Sequence, residues 1–115
     1  MERVTWLDAI PGAVTISDAQ GVILEMNALA IRQFAESGGR GLVGRNLLDC
    51  HPESARSQVE RLLADRKANV YTTEKGGIKK LIYQAPWFDH GRFGGLIELS
   101  LEVPAAIPHF LRDPS

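Results

Sequence analysis

The spacing of hydrophobic positions differs between the two parts of the chain. Up to Lys67, apolar side chains recur mostly at helical spacings, with one early hairpin as the exception. After Lys67 they alternate with polar ones. At the N-terminal end, Trp6, Leu7 and Ile10 share one face of a short helix predicted over residues 3–10. The pattern predicts a mixed fold in which helices precede most of the strands.

The early hairpin is predicted from two short apolar runs, residues 13–17 and 22–26. The turn between them ends in Gly21, which takes a positive φ without steric cost. Asn27 is a favourable N-cap, so a helix is predicted over residues 28–35.

The main helix is predicted to begin at Pro52 and to end near Lys67. Proline at the first turn loses no helical hydrogen bond, and Glu53 lies favourably at the positive end of the helix dipole. Short irregular helical turns are predicted before it, over residues 42–44 and 46–48. Apolar residues at helical spacing form one stripe along the main helix: Ala55, Val59, Leu62 and Leu63.

Three strands are predicted after the main helix, over residues 69–73, 78–87 and 93–103. Glycine-containing turns at residues 75–77 and 89–91 separate them, which makes an antiparallel meander. Since the hairpin and the meander must share one sheet, we predict an α+β fold. It has a five-stranded antiparallel sheet, with short helices and one main helix packed on one face.

Three segments are predicted along the chain. An N-terminal amphipathic helix or cap covers residues 1–11, a single domain covers residues 12–103, and a tail covers residues 104–115. Pro104 and Pro108 stop the sheet and define the start of that tail.

The composition excludes several classes of protein. A net charge of −1 over 115 residues gives no basic surface for nucleic acid or for an anionic membrane. No apolar run is long enough to span a bilayer, and no signal peptide is recognisable. A single cysteine excludes an internal disulfide framework, so we expect a cytoplasmic protein.

The whole pattern resembles a PAS domain over roughly residues 4–103. The marks of this resemblance are Leu-Asp-Ala-Ile-Pro-Gly-Ala-Val at residues 7–14, Ser-Asp-Ala-Gln-Gly at 17–21 with Met-Asn at 26–27, Gly-Arg-Asn at 44–46, and Gly-Gly at 94–95 before Leu-Ile-Glu. The run Cys-His-Pro-Glu-Ser at residues 50–54, with Tyr83 and Pro86, resembles a narrower subgroup of these domains.

The resemblance implies a sensory or interaction module that holds a small molecule between its sheet and its helices. PAS domains bind many cofactors or none, so the sequence does not identify a cofactor. The alternative is that the same side chains pack a filled core. The implied ligand-binding residues are Leu24, Met26, Phe34, Leu48, His51, Leu62, Tyr71, Tyr83 and Leu96.

His51 carries three alternative interpretations. It caps the main helix before Pro52, contacts a polar ligand, or ligates haem in a redox or gas sensor. The position at the start of the helix, rather than inside it, favours the structural role. No pair of histidines has metal-ligand spacing, so no metal site is predicted apart from this haem alternative.

Asp49, Cys50 and His51 also suggest a small enzyme. Adjacent residues at a helix start point in different directions, and no nucleophile motif accompanies them, so no catalytic residue is predicted. Flavin-binding light sensors that resemble this chain carry their reactive cysteine directly after the Asn of Gly-Arg-Asn, where Leu47 stands here. Cys50 is therefore interpreted as an inert, buried thiol.

The prediction for function is a bacterial, non-enzymatic PAS sensory domain in signal transduction. The apolar side of the N-terminal helix that carries Trp6 is predicted to pair with a second copy in a homodimer, and the alternative is that this helix folds back on its own sheet. The domain is expected to act on a downstream signalling protein. Glu98 either faces solvent or anchors a ligand, and alternation alone leaves both options open.

Overall fold

The computed structural model describes residues 5–50 and 53–114, and for residues 50 and 53–55 it describes the backbone only. Within this part, the chain forms one antiparallel sheet in the order β2-β1-β5-β4-β3, as predicted for the α+β fold. The strands are β1 (Ala13–Ser17), β2 (Ile23–Met26), β3 (Asn69–Lys75), β4 (Ile78–Asp89) and β5 (Arg92–Val103).

Short helical elements and one longer helix connect the two halves of the sheet and pack on one of its faces. The helix predicted over residues 28–35 ends earlier, at Gln33, and Phe34 follows it. Two 3-10 turns come next along the chain. Residues 104–114 form no helix or strand. The helices are α1 (Trp6–Ala9), α2 (Ala28–Gln33), α3 (Leu47–Cys50) and α4 (Glu53–Asp65), and the 3-10 turns are Ala35–Ser37 and Gly39–Leu42.

Asn27 connects α1, β1 and α2 through its fully buried side chain. Its Oδ1 accepts hydrogen bonds from the backbone N–H groups of Val14 and Ala30, and its Nδ2 donates to the carbonyls of Leu7 and Gly12. The predicted N-cap is confirmed, and the same amide also fixes the position of the N-terminal segment.

Gly94 and Gly95, near the start of β5, lie where the chain passes close to Ser17 and Trp87. Gly95 has a φ of +151°, and a side chain there would collide with the Ser17 carbonyl oxygen. Trp87 lies across Gly94, where a side chain would collide with the indole ring. The Trp87 indole N–H donates to the Ser17 carbonyl at 2.9 Å, so both glycines are required by close packing around Ser17.

The core lies between the sheet and the helices. Ala30 is completely buried, and Ile23 and Leu42 are 3% and 5% exposed. Leu29, Ile31, Phe34 and Leu47 pack at the edge of this core and remain partly open. Because these side chains do not fill the space above the sheet, a cavity remains there.

Candidate ligand cavity

A cavity of about 290 Å³ lies between the sheet and the helices. This is close to the lower end of the roughly 300–1,000 Å³ of small-molecule sites. Its described walls are mainly apolar, and the polar groups lie on the sheet side and beside the first 3-10 turn. The lining residues are Thr15, Ser17, Ile23, Met26, Phe34, Ser37, Leu42, Leu47, Val59, Leu62, Gln84, Leu96, Ile97 and Glu98.

The sheet contributes one row of residues that crosses all five strands in register. Each member is the pairing partner of the next, and all point to the helix side because paired residues of antiparallel strands share a face. From β2 to β3 the row is Met26, Thr15, Glu98, Gln84 and Asn69.

The polar half of this row is a chain of side-chain hydrogen bonds. Asn69 Nδ2 donates to Gln84 Oε1 at 2.9 Å, and Gln84 Nε2 donates to Glu98 Oε2 at 2.9 Å. Because an ionised carboxylate only accepts hydrogen bonds, the Gln84 N–H group must face Glu98, and Gln84 Oε1 is then left to accept from Asn69. The carboxylate is thereby held at the edge of an otherwise apolar cavity.

The helices supply the opposite wall. Phe34 follows α2, Leu47 begins α3, and Val59 and Leu62 lie on the inner face of α4. Val59 is 8% exposed, whereas Leu62 is only partly buried. Two of the four residues of the predicted apolar stripe, Val59 and Leu62, thus face the cavity.

Four of the residues predicted from the sequence come together around this cavity: Met26, Phe34, Leu62 and Leu96. They come from the first hairpin, the bend after α2, α4 and β5. Their convergence depends on the packing of helices over the sheet.

Leu24 and Leu48 were predicted to line the cavity, but they lie outside it. A register shift between Ile16 and Ser17 places Ile23 opposite Ser17 and leaves Leu24 44% exposed. In α3, Leu47 points to the cavity, so the neighbouring Leu48 takes a different direction.

Tyr83 and Tyr71 also lie outside the cavity, for different reasons. Tyr83 pairs with Leu99 on the opposite face of the sheet and is 39% exposed. Tyr71 is on the helix side, but it lies on the outer strand β3 and borders a shallow groove instead. Burial, and second the negative charge of Glu98, raise the pKa of Tyr71 above the usual 10.0.

That groove adjoins the cavity and shares Glu98 with it. Ser100, two residues further along β5, lies in the groove, is 6% exposed and has no hydrogen-bond partner for its hydroxyl among the described residues. The other groove residues are Gln33, Tyr71, Thr73, Lys75, Ile78, Lys80, Ile82 and Glu102.

Gln84 was missed by the sequence reasoning, and the side of Glu98 was left open. A signal existed, because Leu96 and Glu98 are two apart in one strand and must share a face. Placing Leu96 in the cavity therefore also places Glu98 there. Gln84 follows from Glu98 only through the pairing register, which the sequence does not give.

His51 and the side chain of Cys50 lie outside the described residues, so the haem, thiol and enzyme alternatives stay predictions. Asp49 is exposed at the surface. Within residues 5–50 and 53–114, no three His, Cys, Asp or Glu side chains converge as a metal site. None of the helices described there is long and apolar enough to cross a bilayer.

Comparison with known families agrees with this architecture. The family model described as "PAS fold" matches residues 2–85, and the chain belongs to this family. The match ends within β4, and the structure places β5, which lies beyond it, beside β1 and β4. A search of curated proteins gives no sequence match.

Solved structures show the same fold at low sequence identity. A C-terminal domain from Streptococcus mutans superposes with a TM-score of 0.70 and 20% identity, covering 84% of this chain and 79% of that chain. The PAS domain of BvgS from Bordetella pertussis gives 0.64 and 20%, covering 86% and 82%. The PAS domain of the histidine kinase ThkA gives 0.62 and 20%, covering 77% and 96%.

PAS domains are generally sensory, non-catalytic modules of signal transduction. Family membership therefore gives this chain a sensory class of function. The fold alone does not choose a ligand or a partner.

Proposed function

We propose that this chain is a non-catalytic sensory domain that binds a small organic molecule between its sheet and its helices. The observation that carries the proposal is the cavity of about 290 Å³, with apolar walls and a hydrogen-bonded carboxylate on one side. Few, fixed polar groups in an apolar pocket are typical of small-molecule sites. The proposed ligand-binding residues are Met26, Phe34, Leu62, Leu96 and Glu98.

A native mass spectrum of the purified chain tests this proposal. We expect an added mass that persists under gentle conditions. Val59→Phe places a larger side chain in the cavity and should remove that mass, whereas the control Val43→Phe enlarges a side chain that is 41% exposed. An added mass that survives Val59→Phe in a folded protein would place the ligand elsewhere.

The signal is proposed to leave through the N-terminal segment. The Asp8 carboxylate accepts a hydrogen bond from the Ala28 N–H at 2.8 Å, and Asn27 donates to the Leu7 carbonyl. α1 is therefore attached to the N-terminus of α2, and Phe34 at the other end of α2 lines the cavity. A ligand that shifts Phe34 acts on α1 through this short helix.

We propose that α1 forms the interface of a homodimer, so that a movement of α1 changes the contact between the two copies. Trp6 in α1 is 77% exposed, and Ile10 is 40% exposed. Burying such a surface in a second copy is favourable, since aromatic side chains contribute much of the energy of interfaces. A downstream signalling protein and a cytoplasmic location complete the proposal, and membership of the Cys-His-Pro subgroup stays a prediction.

Sedimentation of two variants tests the dimer. Trp6→Ala should shift the protein from dimer to monomer. Leu111→Ala removes a side chain that is 92% exposed in the tail and serves as the matched control. A dimer that persists unchanged in Trp6→Ala would exclude α1 from the interface.

A further inference from the structure

Glu98 is the only charged side chain among the described residues that line the cavity. It lies in the middle of the sheet, between Thr15 on β1 and Gln84 on β4. Its carboxylate accepts a hydrogen bond from Gln84, whose amide is in turn bonded to Asn69, so it is held beside Gln84. The carboxylate is therefore a fixed feature of the cavity.

One oxygen of this carboxylate is already used and the other is available. Oε2 accepts from Gln84 Nε2 at 2.9 Å, and no second hydrogen bond to Glu98 comes from the described residues. The ion pair found in that part of the chain joins Asp89 and His90 at the surface, so no Lys, Arg or His there pairs with Glu98. The second oxygen, Oε1, therefore receives no donor from the described fold.

A partly buried carboxylate without a cation is unfavourable, because it loses hydration without gaining a counter-charge. A ligand with an anionic head would add repulsion to that cost. A ligand with an ammonium head would remove it, and its hydrogen bonds to an ionised group would be stronger than neutral ones. The charge of the cavity thus selects for cations.

Ser100 offers a second polar contact for the same head group. Ser100 is 6% exposed and lies on the same face two residues from Glu98, and its buried hydroxyl has no hydrogen-bond partner among the described residues. An ammonium group has three N–H donors and no acceptor. An ammonium head at Glu98 would have one donor for the carboxylate and a second for the oxygen of the Ser100 hydroxyl.

We propose that the ligand is a small primary amine with an apolar body, whose ammonium head pairs with Glu98 while its body fills the cavity. This inference rests on the proposed ligand-binding function and adds the chemical class of the ligand. The ammonium head is placed at Glu98, where the cavity meets the groove. The apolar end is directed towards Leu96 and Leu62.

Three probes of nearly equal shape test the charge preference. Phenethylamine carries an ammonium group, propylbenzene a methyl group in its place, and hydrocinnamate a carboxylate. Titrations monitored by methyl NMR give the affinity of each for the wild-type chain. We expect phenethylamine to bind about tenfold or more tightly than propylbenzene, as for a hydrogen bond to a charged group. Hydrocinnamate should bind weakest.

Two variants assign the preference to one carboxylate. Glu98→Gln keeps the shape and the contact with Gln84 but removes the charge, and it should abolish the advantage of phenethylamine. Glu102→Gln changes a carboxylate four residues along the same face of β5, in the groove but outside the cavity, and should leave the preference intact. Thermal unfolding of both variants checks that they are folded.

The outcomes separate this inference from the proposed function. Propylbenzene that binds in the cavity as tightly as phenethylamine would overturn the amine proposal while supporting a ligand cavity. Tighter binding of hydrocinnamate, or a preference for phenethylamine that survives Glu98→Gln, would also overturn it. Failure of all three probes to shift the methyl signals of the cavity residues would contradict both.

Discussion

Asn27 and Val14 are joined by two reciprocal hydrogen bonds. The Asn27 backbone N–H donates to the Val14 carbonyl at 3.0 Å, and the Val14 N–H donates to Asn27 Oδ1 at 2.9 Å. Both residues are almost completely buried, with exposures of 0% and 1%. The side chain of Asn27 therefore substitutes for a neighbouring strand at this point and continues the hydrogen bonding of β1.

Replacing Asn27 by alanine should destabilise the chain severely. The change leaves the N–H groups of Val14 and Ala30 and the carbonyl of Gly12 without this partner. Since one unsatisfied buried group costs roughly 1–3 kcal/mol, we expect a loss of about 3 kcal/mol or more in the free energy of unfolding. Urea denaturation measures this loss.

Asn46 is the matched control for that experiment. Its side chain also donates to a carbonyl, of Gln20, and accepts from a backbone N–H, of Leu48, but it is only partly buried. Asn46→Ala should cost about 1 kcal/mol, as for an ordinary helix cap. Equal losses in the two variants would contradict the special role given to Asn27.

Gly95→Ala should also destabilise the sheet. A φ of +151° is unfavourable for any residue with a side chain, and the added methyl would collide with the Ser17 carbonyl. We expect a loss of about 2 kcal/mol or more. Gly41→Ala, at a position with open space and no positive φ, should change stability by less than about 0.5 kcal/mol.

The two tryptophans provide a third matched pair. Trp87→Phe removes the hydrogen bond from the indole N–H to the Ser17 carbonyl, and we expect a loss of about 1 kcal/mol by urea denaturation. Trp6→Phe changes a side chain that is 77% exposed and should have little effect on the unfolding of the domain itself. No loss in Trp87→Phe would show that the hydrogen bond to Ser17 is unimportant for stability.

Tyr71 should affect stability at high pH. Its pKa in the folded chain is raised above 10.0, so the folded state holds its proton more firmly than the unfolded state does. This contribution is fully present below pH 10.0 and is lost as the pH rises through the folded pKa. Tyr71→Phe should therefore weaken the fall in stability above that pH.

A titration of tyrosinate absorbance tests the cause of this shift. The chain has two tyrosines, so Tyr83→Phe isolates the signal of Tyr71. Adding Glu98→Gln removes the negative charge that is the second cause, and the pKa of Tyr71 should fall while staying above 10.0, because burial is the larger cause. No change on adding Glu98→Gln would show that this charge does not act on Tyr71.

Much of the fold was predictable because its local signals agree with its long-range contacts. The apolar stripe of Val59 and Leu62 placed the inner face of α4, and alternation placed β4 and β5 within one or two residues of their observed ends. Asn27 was predicted as an N-cap from its residue type alone. Its bonds to Leu7 and Gly12 were not, because they join segments that only the folded chain brings together.

The cavity was predictable only in part, because its walls depend on strand register. Because of the register shift at Ser17, Ile23 lines the cavity in place of the predicted Leu24. No residue type in the hairpin indicates that shift. In β4 both faces carry apolar residues, so alternation did not distinguish Tyr83 from Gln84. The pairing of Gln84 with Glu98 on β5 places Gln84, and not Tyr83, at the cavity.

The most direct test of the central claim is a methyl NMR titration of the wild-type chain with benzene. An apolar cavity of this kind takes up small apolar molecules. We predict saturable shifts of the methyl signals of Met26, Leu62 and Leu96, and their loss in Val59→Phe but not in Val43→Phe. Saturable shifts confined to other methyl groups, or none up to the solubility of benzene, would contradict a ligand cavity between the sheet and the helices.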